Sequence, residues 1–87
     1  MKIKEGYTLK TVANQHLVIP IGKEGVNFNG IITLNDSGKM LFEAMRKDIT
    51  RDNLINMVMD RYDIDKTTAE NDIDDFIEIL KNKNLLA

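Results

Sequence analysis

The spacing of hydrophobic positions changes part-way along the chain. Up to Leu34 apolar and polar residues mostly alternate, and beyond it the apolar ones recur every three to four. These are the periods of a half-buried strand and of an amphipathic helix. "YTLKTVAN" sets Leu9, Thr11 and Ala13 against Thr8, Lys10 and Val12, and "HLVIPI" places Leu17, Ile19 and Ile21 on one face. The short Asn14-Gln15 between them suits a tight hairpin turn. Pro20 has no N–H to give a ladder, so it belongs near a strand end or at a position facing away from a partner. "GKEG" reads as a second turn. From there Val26, Phe28, Gly30, Ile32 and Leu34 share one face, with Asn27, Asn29 and Thr33 on the other and Ile31 as an apolar exception among them. Three strands joined by short turns give an antiparallel meander, with the second strand in the middle and the first and third at the edges.

Asn35 is a good N-cap, with Asp36 in the first turn of a helix expected over about 36–46. Leu41, Phe42, Ala44 and Met45 form its buried stripe, and Gly38 weakens its start modestly. "KDIT" breaks the pattern, and Thr50 caps a second helix whose stripe is Leu54, Ile55, Val58, Met59 and Tyr62. Asp63-Ile64-Asp65 separates it from a third, capped either by Asp65 or by Thr67 in a capping box with Glu70. Ala69, Ile73, Phe76, Ile77 and Leu80 form the third stripe. "KNKNLL" places cations at the helix end, where the dipole favours them, and Leu85 and Leu86 are expected to fold back on the core. The fold class is therefore α+β, with a three-stranded antiparallel sheet followed by three helices.

At 87 residues and 43% hydrophobic, the chain makes one domain over residues 1–87 with a thin core. It has no Cys, which removes disulfides and thiolate metal sites and fits a reducing, cytoplasmic setting. No apolar run approaches the roughly 20 residues of a membrane span, and the opening "MKIKEGYTLK" lacks the apolar segment of a secretory signal. The net charge of −2 gives no general attraction to nucleic acid or anionic lipid.

Little in the sequence points to catalysis. His16 is the only His and Ser37 the only Ser. His16, beside a predicted turn, reads as a surface residue, and Ser37, in a first helical turn, reads as serving the backbone. Asp60, Asp63 and Asp65 lack the Gly and the distal Glu of a calcium loop. The glycines at 22, 25 and 30 match no phosphate-binding spacing. No enzyme activity, metal or cofactor is expected. A small sheet with three helices can also serve as a winged-helix DNA-binding regulator. The third helix opposes that reading: Glu70, Asp72, Asp74, Asp75 and Glu78 would be repelled by phosphates. Asp74 and Glu78 read as a solvated face.

The third strand raises a different question. An unprotected edge presents unpaired N–H and C=O groups, which proteins shield with charge, proline, a bulge or a cover. From Asn29 to Leu34 none of these is present, whereas Lys10 lies in the first strand and Lys2 and Lys4 just before it. The third strand is therefore where another extended chain can add. Roughly four or five ladder bonds at ~0.5–1.5 kcal/mol each supply roughly 2–7 kcal/mol. Micromolar binding needs ~8 kcal/mol, so side chains must dock as well. In the third helix Asp72, Ile79 and Lys83 lie on one flank of the core stripe, with Asp75 further round. Ile31 and Ile79 would then line a groove between strand and helix, with Asp72 and Asp75 available to a basic side chain of the guest. An open edge also permits a homodimer through strand pairing.

The segments "GYTLKTVANQHLVIPIG", "FNGIITLNDSGKMLFEAM", "ITRDNLINMVMDRYDID" and "AENDIDDFIEILKNKNLL", in that order and covering nearly the whole chain, resemble the PqqD family. That family takes its name from the making of pyrroloquinoline quinone. The resemblance implies a compact winged-helix-like domain that acts as a recognition element for ribosomally made, post-translationally modified peptides. Such a domain is a non-catalytic chaperone that binds the leader of a precursor peptide and delivers it to a modifying enzyme, often a radical S-adenosylmethionine enzyme with iron–sulfur clusters. The leader would add to the third strand along the backbone of Gly30, Ile31, Ile32 and Thr33 and would meet the side chains of Ile31, Asp72, Asp75, Phe76 and Ile79. Fold alone does not establish function, and an adaptor for a partner unconnected with peptide modification has the same outline.

Overall fold

The computed structural model describes residues 1–21 and 32–87. The expected second turn at 22–25, and the part of the third strand before Ile32, lie outside the described residues.

Strand β1 (Tyr7–Val12) and strand β2 (Gln15–Pro20) form an antiparallel hairpin with Val12 opposite Gln15 and Tyr7 opposite Pro20. The two residues of its loop, Ala13 and Asn14, have φ of 51° and 65°. Paired left-handed residues match a two-residue loop to the right-handed twist of the strands. The turn thus falls one residue earlier than expected, and Ala13 leaves the strand. Strand β3 (Ile32–Leu34) pairs antiparallel with β2, with His16 opposite Leu34 and Val18 opposite Ile32. The order is β1-β2-β3, so β2 is central and β3 lies at an edge, as the meander requires.

Because side chains alternate across a strand, this register puts Tyr7, His16, Val18, Ile32 and Leu34 on one face, and all five are buried. Leu17, Ile19 and Ile21 do share a face, but it is the outer one; Ile21 is exposed. His16 is therefore not a surface residue. It is 6% exposed, and its imidazole stays hydrogen-bonded at both nitrogens: Nδ1 lies 2.8 Å from Thr11 Oγ1 and Nε2 lies 2.7 Å from Asp36 Oδ1. The turn position sets the parity of the whole strand, and that parity points the ring inward.

Helix α1 (Asp36–Ala44) starts where Asn35 Oδ1 accepts the Gly38 N–H at 2.9 Å. It ends two residues before the expected boundary. Gly38 has a packing role as well: a Cβ there would stand 3.1 Å from Leu34 Cβ, so its absence lets the first turn of α1 lie against the end of β3. Helix α2 (Arg51–Tyr62) is capped by Thr50, whose Oγ1 accepts the Asn53 N–H at 3.1 Å. Helix α3 (Lys66–Asn82) is capped by Asp65, which accepts the Thr68 N–H at 2.7 Å and so resolves the choice between Asp65 and Thr67. The helices close over the sheet around Phe42, Met45, Leu54, Ile73, Leu80, Leu85 and Val18, all fully buried.

The end of α3 shows why the last residues fold back. Asn84 adopts φ 59°, the Leu85 N–H reaches the Leu80 carbonyl at 2.8 Å, and the Asn84 N–H reaches the Lys81 carbonyl at 3.0 Å. This is a Schellman motif, with Leu85 and Leu80 making the apolar contact that accompanies it. The reversed chain then meets the segment before β1: Ile3 bridges Leu86, the Lys4 N–H donates to the Leu85 carbonyl, and the Ala87 N–H donates to the Lys2 carbonyl. The carboxy-terminal tail is thus consumed beside β1's approach and not at β3. The architecture is α+β, and winged-helix is a loose description of it, since the three described strands all precede the helices.

Candidate functional site

The edge left by this topology borders a groove of about 530 Å³ between β3 and α3. One wall is Thr33, Leu34 and Asn35, continuing into Ser37 and Gly38 at the start of α1. The facing wall is Asp72, Asp75, Phe76 and Ile79 of α3, and one end is formed by Tyr62 and Ile64 where α2 gives way to α3. Leu41 and Val58, both buried, form part of the floor.

Each wall follows from local sequence. The Asn35 cap ends β3 and turns the chain into α1; its Oδ1 also accepts the Ser37 hydroxyl at 2.8 Å. Asp63 adopts a left-handed φ of 51° and closes α2 with its N–H on the Met59 carbonyl. That stop lets Ile64 pack on the core before Asp65 starts α3. In α3, Phe76 is buried and still borders the groove, while Ile79 is 45% exposed. Ile79 and the half-exposed Tyr62 together give the groove an apolar rim.

Among the expected peptide contacts, the structure therefore brings Thr33, Asp72, Asp75, Phe76 and Ile79 to one groove. Ile32 sits in β3 with its side chain buried in the core and not in the groove. Gly30 and Ile31 lie outside the described residues. Tyr62 was expected in the core stripe of α2 but is 40% exposed and lines the groove, because the stripe runs out at the last residue of the helix. Ile64, Asn35 and Ser37 had no signal as groove residues, because loop and cap positions carry no periodicity.

The acidic residues of α3 divide by face. Asp74 is not merely solvated: Arg51 of α2 donates to it through Nε at 2.7 Å and Nη2 at 2.9 Å. That fork of hydrogen bonds holds the Asp74 carboxyl below its ordinary pKa and pushes the Arg51 guanidinium up. Glu70 stands 4.0 Å from both Arg51 and Lys66. Asp72 and Asp75 face the groove instead, and neither is ion-paired with a described residue. His16 and Ser37 are engaged with separate partners, and no hydrogen bond joins them. Among the described residues no cluster of three or more metal-ligating side chains occurs, and no helix is long and apolar enough to cross a membrane.

The fold is thus a small α+β domain in which a strand at the edge of the described sheet faces a helix across a groove. The chain belongs to the PqqD family: the family model described as coenzyme PQQ synthesis protein D matches residues 15–86. Among solved structures, the chain is similar to that of TbiB1 in complex with the TbiA(beta) leader peptide, with a TM-score of 0.77 and 21% sequence identity over 99% of this chain and 94% of that one. This likeness establishes the fold. Comparison with curated proteins finds no match.

Proposed function

We propose that the protein is a non-catalytic peptide chaperone. It binds the leader segment of a ribosomally made precursor by strand addition to β3 and presents it to a modifying enzyme. The observation that carries this reading is the groove itself: β3 has β2 as its only strand neighbour among the described residues, and its other side opens toward α3. In an antiparallel pair, alternate residues of an edge strand direct their N–H and C=O groups away from the partner, where an added strand can take them. Ile79, Phe76 and Tyr62 supply the apolar contact that backbone bonds alone leave lacking. Membership of the PqqD family and a structural neighbour described with a leader peptide support the same role.

The contacts assigned to the guest are the backbone from Gly30 to Thr33 and the side chains of Ile31, Asp72, Asp75, Phe76 and Ile79. The recipient enzyme is of the radical S-adenosylmethionine class, on the precedent of the family, and the chain works in the cytoplasm. The same open edge can pair with a second copy in the absence of peptide, which sedimentation with and without peptide would detect. The deciding experiment is a titration with synthetic leader segments of candidate precursor peptides, followed by amide NMR. Shifts centred on Ile32–Leu34 and on α3 are expected. Shifts confined to β1 and α1 would remove the strand-addition role.

A further inference from the structure

We infer that the groove selects its guest by charge sign and spacing: the bound segment carries a Lys or Arg two positions away from a bulky apolar residue. This rests on the peptide-binding reading and adds to it the chemistry of the peptide. Two carboxylates, Asp72 and Asp75, line the groove, and among the described residues no Lys, Arg or His does so. Two of the cations on α2 and α3 already face other carboxylates. Arg51 is held by Asp74, and Lys66 stands 4.0 Å from Glu70. A guest carboxylate entering here would meet two like charges, and a guest cation would meet two opposite ones.

Spacing follows from the two kinds of backbone. Asp75 and Ile79, like Asp72 and Phe76, are four residues apart in α3, which is about 6 Å along a helix axis at ~1.5 Å per residue. An extended strand rises ~3.3 Å per residue and points residues i and i+2 to the same side, so two strand residues span ~6.6 Å. A guest laid along α3 therefore sets one side chain against a carboxylate and the next same-side residue against Phe76 or Ile79. The neighbouring side chains of that guest face the other way and are not read by α3.

The test is selection from a randomised display library of twelve-residue peptides on the intact protein, followed by affinity measurement of the enriched sequences as synthetic peptides. Enriched sequences are expected to carry Lys or Arg at i and a large apolar residue at i+2 or i−2. Replacing that cation by norleucine should weaken binding roughly three- to tenfold at low salt, as two partly exposed charge pairs would. The loss should shrink when salt is added. It should also vanish in the protein carrying both Asp72→Asn and Asp75→Asn, exposed changes whose fold is checked by circular dichroism. Sequences that bind the groove by NMR with no cation preference would overturn this inference and leave peptide binding standing. A library yielding no groove binder would overturn peptide binding and this inference with it.

Discussion

His16 Nε2 lies 2.7 Å from Asp36 Oδ1, so a buried ring on the central strand holds the first turn of the helix that follows the edge strand. His16 also stands opposite Leu34 in the ladder, and Leu34 forms part of the groove wall. One side chain thus ties together β2, the end of β3 and the start of α1. Replacing His16 by Ala should lower stability by about 1–3 kcal/mol, the range for losing a buried hydrogen-bonded group and its packing. Urea denaturation of the variant and the parent measures this, and an unchanged midpoint would show the ring to be dispensable.

Acid should unfold the protein through a small set of carboxylates. Asp36, held by His16, and Asp74, held by Arg51, both lie below the ordinary value of 3.8, and so does Asp65, held by the Thr68 N–H at the start of α3. A carboxyl with a lowered folded-state pKa releases its proton more readily in the folded protein than in the unfolded chain. Its stabilisation is complete above the ordinary value and is lost as pH falls through the lowered one. Melting temperature should therefore stay level down to about pH 5 and drop below about pH 4. The Asp74→Asn protein should start from a lower plateau and show a shallower fall. Equal slopes would mean that the Arg51 pair contributes nothing to acid sensitivity.

The reversal after α3 should be sensitive at Leu85 and tolerant at Asn84. Leu85 is fully buried, and Leu85→Ala should cost about 2–5 kcal/mol, as buried leucine truncations do. Asn84 holds a left-handed φ of 59°, so Asn84→Gly should be neutral or stabilising, whereas Asn84→Val should destabilise by roughly 1–2 kcal/mol because a β-branched residue resists that conformation. Thermal melts of the three variants give the order directly.

Ile79 separates binding from stability in a way Phe76 does not. At 45% exposure, Ile79→Ser should change stability by no more than about 0.5 kcal/mol, yet weaken leader binding severalfold by removing an apolar contact in the groove. Phe76, 7% exposed, should lose about 3–5 kcal/mol of stability on change to Ala, so its binding effect is measured only on protein shown to be folded. Equal leader affinity of the Ile79→Ser protein and its parent would remove Ile79 from the site.

Much of the helical half was legible from the chain. Asn35, Thr50 and Asp65 cap their helices as short polar residues before an apolar-periodic run should. The stripe of α3 from Ala69 to Leu80 is buried at every expected position. The strands were harder. One residue of displacement in the hairpin turn, from Asn14-Gln15 to Ala13-Asn14, was invisible because Ala is an uncommon left-handed residue. His16 was misread for a related reason: a lone polar residue beside a predicted turn carries no sign of the two partners that make its burial tolerable.

By itself the sequence determined the order of the described elements, strands first and helices after, and the caps of the first two helices, because those properties depend on neighbours a few residues away. Tertiary structure decided which face of the sheet meets the core, that Asp74 braces α2 while Asp72 and Asp75 look into the groove, and that Tyr62 and Ile64 complete its end. Those outcomes depend on pairings between distant parts of the chain, and a local pattern of polar and apolar residues is the same whichever pairing forms.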